Sequence, residues 1–530
     1  MGCVIMRRFG TQGPVYPEKH YIVNRKAELD EFNARVEDGR YIVIFAPRQT
    51  GKTTFFYWSL ETLTTQNPSY LTIRLDFQVM RNISEVIFYQ RLYQMFCREL
   101  KQELEKTKIT VSSELTHLLE STQLTDSFSM ITFFQDLSGL LQNRKIVIII
   151  DEFDGIPTEV VSDFLYALRH IYLSKEPKCP HSVGIVGVQS IAQLNYDRSI
   201  SPFNVQDEFF LPNFTLEQVH ELLGQYTEEV GQTFETEVIM SIHKQSAGQP
   251  FLVNRLAQIL TDELDIPKTK TIKMNHFTRA HNRLLHEHNT NIDHLTTNIR
   301  RNPRFENILM RITASDDGLH FNLRDDQISE LATFGVIKQG EDGMCEIANP
   351  IYFYCILQTF KPTVNGLEQA YLPEDTRDGF LDYLSKSGHI EMDALLDNFR
   401  DFIARVGFSI LQVPDTPQES VGRHLLFAYL EQFVLIVGGF MHIEVQTGRG
   451  RMDLLITHNR RKYIVETKVW RGAARYQRGK RQLASYLKSE GVSEGYYVVF
   501  DHRTHPEQLT EIEKIDEYDI RSYVIPVIQE

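Results

Sequence analysis

The sequence predicts an α/β protein of several domains, and three observations carry that prediction. Apolar runs such as Tyr41–Phe45 and Lys145–Ile150 alternate with helical segments, the pattern of a parallel sheet covered on both faces. A length of 530 residues implies three or four domains, at about 150 residues each. With 42% hydrophobic and 24% charged residues the chain has ordinary globular composition, which argues against disorder throughout.

In chain order, Tyr41–Phe45 reads as a strand buried on both faces, Ala46–Lys52 as a turn, and Thr53 onward as a helix. Tyr70–Phe77 is a second strand and Ser84–Leu119 a long amphipathic helical region. Lys145–Ile150 is a third strand, closed by Asp151 and Glu152, and His181–Gln189 a fourth. The pattern then turns helical, with Leu216–Val230, Phe234–Gln245 and Pro250–Leu264. Thr215 and Gln218 make a capping box for the first of these, and Ala247-Gly248-Gln249-Pro250 separates the last two. Residues 303–360 read as two helices and a hairpin (Phe334–Ile337, Met344–Ile347), a winged-helix-like module. A linker starts at Lys361, and residues 367–415 read as mostly helical. From Pro417 come a helix to Val437, three strands, a basic helix and a fourth strand.

Several classes are argued against. No apolar run is long enough to span a bilayer, and no secretory signal follows Met1. Met6 stands where myristoylation at Gly2 wants Ser or Thr. Cys3, Cys97, Cys179, Cys345 and Cys355 are too scattered for a disulfide scaffold or a dense cysteine metal site, which fits a reducing cytoplasm. The net charge of −14 argues against a general nucleic-acid coat protein. Between Arg449 and Arg481, however, eleven Lys or Arg face only two acids, Asp453 and Glu466, a candidate phosphate-contacting surface.

Ala46-Pro47-Arg48-Gln49-Thr50-Gly51-Lys52-Thr53 matches the phosphate-binding loop of nucleotide hydrolases except at its first glycine. Backbone N–H groups of such a turn wrap phosphate oxygens at a helix N-terminus. Arg48, Gln49, Thr50, Gly51, Lys52, Thr53 and Thr54 are the expected ATP contacts, with Lys52 on the β- and γ-phosphates and Thr53 on Mg²⁺. Downstream, Asp151 is placed to hold the magnesium shell and Glu152 to orient or deprotonate the attacking water.

APRQTGKTT, IIIDEFD and SAGQPFLVNRLAQIL together resemble the AAA+-related and STAND-like P-loop ATPases, over residues 15–360. The resemblance implies an ATPase core (1–212), a helical lid (213–290) and a winged-helix-like module (291–362), then a helical linker (363–415). It places the lid's Gly-x-Pro motif on Gly248 and Pro250 and a polar sensor at Gln189 or Ser190. A sensor or finger arginine falls on Arg198, and an adenine-packing segment on His20, Tyr21 and Arg25. It also implies a homo-oligomer.

In Lys462–Val469, Glu466 and Lys468 are two apart and share one strand face. Asp453, in the preceding strand, can meet Glu466 to form a two-carboxylate site suited to Mg²⁺ or Mn²⁺. Lys468 would then stabilise hydroxide or phosphorane charge. Asp453, Glu466 and Lys468 resemble the core motif of the PD-(D/E)xK nuclease superfamily, over residues 417–502 within a restriction-endonuclease-like domain (416–530). The family's first acid falls on Glu419, with Glu431 and then Glu444 as alternatives. Gln482 and Tyr486, one helical turn apart, match the Gln-x-x-x-Tyr signature of its recombination-nuclease branch.

The motifs thus point to an ATPase module controlling a metal-dependent nuclease that acts on nucleic acid, DNA favoured over RNA, in defence against phage or mobile DNA. The alternative is a nucleotide-gated STAND-like switch whose C-terminal domain only binds nucleic acid. A DNA-remodelling motor is disfavoured because no helicase motif set is evident.

Overall fold

The structure, a computed structural model, describes residues 6–47, 49–107, 111–174, 178–187, 206–287, 289, 291–292, 295, 297, 303–314, 319–359, 381–406, 418–447, 450–503, 505 and 508–526. The chain divides into two compact units. One is Met1–Gly231 with Gly248–Arg255 and Ser329–Gly335; the other is Gln232–Ala247 with Leu256–Ile328 and Val336–Glu530.

The first unit is built on a sheet of β1 (Tyr41–Phe45), β2 (Tyr70–Asp76), β3 (Lys145–Asp151), β4 (Ser182–Gly187) and β5 (Gln206–Glu208). Its order is β2-β3-β4-β1-β5 and every neighbouring pair is parallel. Strand periodicity divides the apolar runs between two cores. Tyr41 and Val43 join Ile146, Ile148 and Ile150 on one face; Ile42 and Ile44 join Val147 and Ile149 on the other. Helices Lys26–Glu37 and Lys52–Gln66 cover the second face, and Glu85–Lys106, Ser127–Leu140 and Thr158–Leu173 cover the first.

The helical region expected over Ser84–Leu119 comprises two helices, Glu85–Lys106 and Ser113–Ser121. The Thr107 hydroxyl donates back to the Glu103 carbonyl at the end of the first. The Ser112 side chain accepts from the Leu115 N–H and starts the second. Strand β5 carries no apolar signal; its Asp207 is held by Arg35 and Arg40, each at 2.8 Å.

Helix Leu216–Val230 begins with the expected capping box. The Gln218 N–H donates to Thr215 Oγ1 at 3.2 Å, and the Thr215 N–H donates to Gln218 Oε1 at 3.0 Å. Gly248 has φ +70°, and a Cβ there would lie 1.9 Å from the Phe214 carbonyl oxygen, so only glycine fits. The helix expected over Pro250–Leu264 is α-helical only to Gln258 and continues as a π-turn, Ile259–Glu263.

In the second unit, helices Thr236–Ser246, Met274–His286 and Pro303–Ala314 precede an antiparallel hairpin of β6 (Ile337–Gln339) and β7 (Cys345–Ile347). The first hairpin strand starts three residues later than expected, because Gly335 takes φ +69° and turns the chain. An unanticipated helix, Pro350–Thr359, follows. Of the region expected to be mostly helical, Met392–Val406 is a helix, and 367–380 and 407–415 lie outside the described residues.

Helix Gln418–Val437 leads into β8 (Phe440–Thr447), β9 (Gly450–His458) and β10 (Arg461–Val469). Helix Ala473–Glu490 and β11 (Glu494–Asp501) come next, as expected, but two further strands follow, β12 (Leu509–Ile515) and β13 (Tyr518–Pro526). The mixed sheet runs β12-β13-β11-β10-β9-β8, with β10 parallel to β11 and β11 parallel to β13. Strand β12 is mostly polar, with apolar residues only at every third position and little burial, which hid it from a search for apolar runs. Helix Ala473–Glu490 packs Tyr476, Leu483 and Leu487 on one sheet face, brought close by Gly479, where a Cβ would lie 2.0 Å from the Tyr497 hydroxyl. Among the described residues no helix is long and apolar enough to cross a membrane.

Candidate functional site

In the first unit the turn after β1 carries the phosphate-loop residues. Gln49 (φ +61°) and Gly51 (φ +84°) both take left-handed conformations, which curl the backbone into the start of helix Lys52–Gln66. Thr50 Oγ1 donates to the Pro47 carbonyl at 2.9 Å and pins the curl. Lys52 Nζ lies 2.6 Å from the carbonyl oxygens of both Ala46 and Pro47, folded over the loop.

Thr53 Oγ1 donates to Asp151 Oδ2 at 3.0 Å, which joins the loop to the end of β3. Asp151 Oδ1 accepts the Glu152 N–H at 2.9 Å, and Glu152 itself sits at φ +50°. A non-glycine residue held in that region costs about 1–3 kcal/mol and is concentrated at functional sites. Gln249, from the Gly248–Pro250 turn, donates to the Gln49 carbonyl at 3.3 Å and ties the lid motif to the loop.

Thr54 Oγ1 accepts the Val15 N–H at 3.2 Å, a structural contact. Tyr21 lies in an aromatic cluster with Phe9 and Tyr226; Arg25 Nη1 donates to the Pro212 carbonyl at 2.8 Å; His20 Nδ1 accepts the Tyr16 N–H at 3.0 Å. All three thus have places in the packing of the unit. Arg48, Gln189, Ser190 and Arg198 lie outside the described residues.

In the second unit the structure brings Asp453, Glu466 and Lys468 together. The antiparallel pairing of β9 and β10 ends at Leu454 and Val465. There the Asp453 carboxylate takes the place of a backbone partner: Oδ2 accepts from the Thr467 N–H (2.7 Å) and hydroxyl (2.8 Å). Lys468 Nζ lies 3.0 Å from Glu466 Oε1 and 3.9 Å from Asp453 Oδ2. Glu466 is fully buried, and the Lys468 ammonium is the partner of its Oε1. Asp453 lies inside β9, the fourth residue of the strand.

One participant went unread in the sequence. Arg423, on helix Gln418–Val437, places Nη2 2.9 Å from Asp453 Oδ1. Nothing in a linear pattern marks it except its spacing, one turn after Glu419. Burial alone would raise the Asp453 carboxyl, but Arg423, Lys468 and the Thr467 hydrogen bonds hold it below its usual value. Glu466 goes the other way, pushed up to about 8 by burial and then by the Asp453 charge.

Among the candidate first acids, Glu419 belongs to the same helix, with its side chain outside the described residues, as is that of Glu444. Glu431 is two helical turns beyond Arg423, about 12 Å along the axis, and its charge bears on Tyr354 and Cys355. That position separates it from the Asp453 cluster. Gln482 Nε2 donates to the Tyr486 hydroxyl at 2.5 Å. Burial lifts the Tyr486 phenol above its ordinary value, and the charges of Glu466, Asp453 and Lys468 also bear on it.

The basic stretch does not act as one patch. Lys462 pairs with Glu490 at 2.8 Å, and the buried Lys480 pairs with Glu511 and Glu513, fixing the helix to the outer strand β12. Arg471, Arg475, Arg478 and Arg481 stay exposed. No group of three or more His, Cys, Asp or Glu suited to a metal occurs among the described residues.

A parallel sheet, a left-handed glycine turn carrying Lys52, and a Thr53–Asp151 link from that turn to the end of β3 define a P-loop ATPase core. The chain belongs to the AAA-like domain family, whose model matches residues 11–354. Residues 389–504 match a domain of unknown function (DUF8371). No curated protein matches the chain.

Among solved structures, the chain is similar to the Walker-type ATPase PABY2304 of Pyrococcus abyssi, with 16% identity and a TM-score of 0.47, over 66% of this chain and 99% of that one. It is also similar to the Orc1 protein of Aeropyrum pernix in complex with DNA (16%, TM-score 0.32, 64% and 93%). A third is the Holliday junction branch migration motor RuvB of Thermotoga maritima (14%, TM-score 0.32, 61% and 92%). At these levels the likenesses carry no functional argument.

Proposed function

We propose that the chain is an ATP-hydrolysing, Mg²⁺-dependent nuclease in which the AAA-like ATPase gates cleavage by the C-terminal domain. DNA is the favoured substrate, and defence against phage or mobile DNA the setting. The observation that carries the nuclease half is the convergence of Asp453, Glu466 and Lys468 where β9 and β10 part. Buried carboxylates are costly unless paired or put to use.

In the ATPase half, Gly51 and the residues around it offer N–H groups to phosphate. Lys52 would exchange the Ala46 and Pro47 carbonyls for phosphate oxygens. Thr53 and Asp151 are the residues that would hold Mg²⁺, and their existing contact supports a shared ligand for both. Glu152 is the base that would take the water's proton. Arg198 and Gln189 remain the proposed sensor residues, and the protein is proposed to work as a homo-oligomer.

In the nuclease half, the buried oxygens of Glu466 and Asp453, two carboxylates brought together beside Lys468, are the residues that would hold a divalent cation, with Glu419 as a further ligand. A bound Mg²⁺ or Mn²⁺ lowers the pKa of its water and screens the phosphodiester charge. Lys468 supplies a fixed cation beside the scissile phosphate. Gln482 and Tyr486 hold each other by their amide–hydroxyl hydrogen bond, and the Lys468 charge bears on the Tyr486 phenol.

One observation favours a second reading, a nucleotide-gated switch that only binds nucleic acid. Arg423 already neutralises Asp453, so a metal at Asp453 Oδ1 must displace a guanidinium. Incubating the protein with plasmid, linear DNA and RNA, with Mg²⁺ and with or without ATP, separates the two readings. Metal-dependent cleavage supports the nuclease; binding without cleavage supports the switch.

A further inference from the structure

Three of the exposed arginines of this stretch, Arg471, Arg475 and Arg478, line one cavity. It has a volume of about 370 Å³, and its walls include Lys468, Trp470, Arg475, Tyr476, Arg478 and Gln482. Its arginines differ from the other cations of the same stretch. Arg475 and Arg478 have no ion-pair partner among the described residues, whereas Lys462 and Lys480 are committed to acids. On helix Ala473–Glu490 the spacing of Arg475, Arg478, Gln482 and Tyr486 puts them in one row along one face. The row leads toward Lys468, which belongs both to the cavity wall and to the carboxylate cluster.

The cavity lining also has a fixed aromatic part. The Trp470 and Tyr476 rings lie 5.0 Å apart, and Tyr476 and Tyr497 5.5 Å apart. Arg503 sits 4.7 Å from the Trp470 ring and is itself held by a bidentate contact with Asp501. Trp470 is therefore braced, and, half-buried, it lines the cavity.

We propose that this cavity takes one unpaired nucleotide of a single strand, its phosphate on Arg475 and Arg478 and its base against the Trp470–Tyr476 wall. The strand then runs on toward Lys468. Size and chemistry agree on this occupant. A cavity near the lower end of the 300–1,000 Å³ range suits a ligand of nucleotide size and is far too small for a duplex. Cations interleaved with aromatic rings are the recognition chemistry of single strands, whose bases expose their faces; a duplex keeps those faces stacked inside. The inference deepens the nuclease reading and rests on it for what happens to the strand afterwards. Binding itself does not depend on cleavage.

The test is fluorescence titration of the full chain in EDTA, with Trp58→Phe leaving Trp470 as the one tryptophan, since the chain has two. The probes are an oligodeoxyuridylate and an oligouridylate of about ten nucleotides, within the site-size range of single-strand binders, and a blunt hairpin duplex. The expected result is a change in Trp470 emission with a single strand, and binding at least about tenfold tighter than to the duplex. Arg475→Gln with Arg478→Gln should weaken single-strand binding at least about tenfold and lower the salt slope by about 1.4, two contacts at ~0.7 each.

The preferred oligomer identifies the sugar. Equal or tighter duplex binding, an unchanged emission, or a double variant that binds like the parent would overturn the proposal. If single strands bind as expected and Mg²⁺ brings no cleavage, the nuclease reading fails and the cavity assignment stands. Cleavage without single-strand preference does the opposite: the cavity assignment fails and the nuclease reading stands.

Discussion

Arg423 Nη2 lies 2.9 Å from Asp453 Oδ1, with both side chains buried, so a helix residue neutralises the acid that the strand pattern singles out for metal. Removing one partner of a buried pair leaves the other uncompensated, at a cost of about 3–5 kcal/mol. Lys468 and Thr467 still serve Asp453, which puts Arg423→Met at the lower end, about 3 kcal/mol. Urea denaturation of the variant measures the loss. Adding Mg²⁺ should restore part of it, because the ion can take the guanidinium's place and stabilises whatever state binds it. A variant as stable as the parent would show that the buried pair is not stabilising, and one indifferent to Mg²⁺ contradicts a metal at Asp453.

The P-loop account predicts a split between two variants. Lys52→Ala should abolish ATP turnover while leaving the fold intact, since the ammonium is the residue's contribution. Glu152→Gln should keep ATP binding and stall hydrolysis, because the amide retains the shape but cannot take a proton. Nucleotide binding and phosphate release, measured on both, decide the matter; parental turnover in Glu152→Gln would show that Glu152 is not the base.

Gly335 is a structural test of the same loop. Its φ is +69°, and a Cβ there would meet Pro47 Cγ at 2.2 Å. Gly335→Ala carries about 1–2 kcal/mol of backbone strain and pushes on Pro47, the second residue of the phosphate turn. ATP affinity should fall by about tenfold or more, read by equilibrium binding. An unchanged affinity would mean that the turn tolerates displacement of Pro47.

The second unit should be acid-sensitive through two histidines. His281 and His442 are each pushed down to about 3, by burial first and then by neighbouring positive charge. An unfolded chain holds histidine near ~6.5, so it takes up protons that the folded unit refuses. The stability contributed is complete above pH ~6.5 and is lost as the pH falls toward 3, by up to ~1.4 kcal/mol per pH unit for each histidine. His281 packs against Phe277, Tyr354 and Phe440, and no hydrogen bond reaches its buried Nε2, so phenylalanine fits the site. His281→Phe should flatten the dependence of the urea midpoint between about pH 6.5 and 5; an unchanged slope would show that His281 does not carry it.

How much of this was legible in the sequence depended on whether a residue's role is local. Strands β1 and β3, the Thr215–Gln218 box and the turn at Gly248 are written in neighbouring residues, and all appear where the pattern places them. The pairing of Glu466 with Lys468 follows from strand period two. Strands β5 and β12 escaped because their residues are largely polar and are held by ion pairs, Asp207 to two arginines and Glu511 and Glu513 to Lys480. Arg423 escaped because its meaning depends on a partner thirty positions away. The basic stretch misled in part: several of its cations are bound internally, and only the fold shows which.

The central claim is that the Asp453 cluster cleaves phosphodiesters, and the most direct measurement is cleavage of labelled DNA and RNA by Asp453→Asn in Mg²⁺, with ATPase rate as the fold control. The amide keeps an oxygen for Thr467 but loses the charge that a metal needs. Cleavage should be lost while ATP turnover and nucleic-acid affinity survive. Cleavage at the parental rate would contradict the account and move any nuclease activity away from these residues.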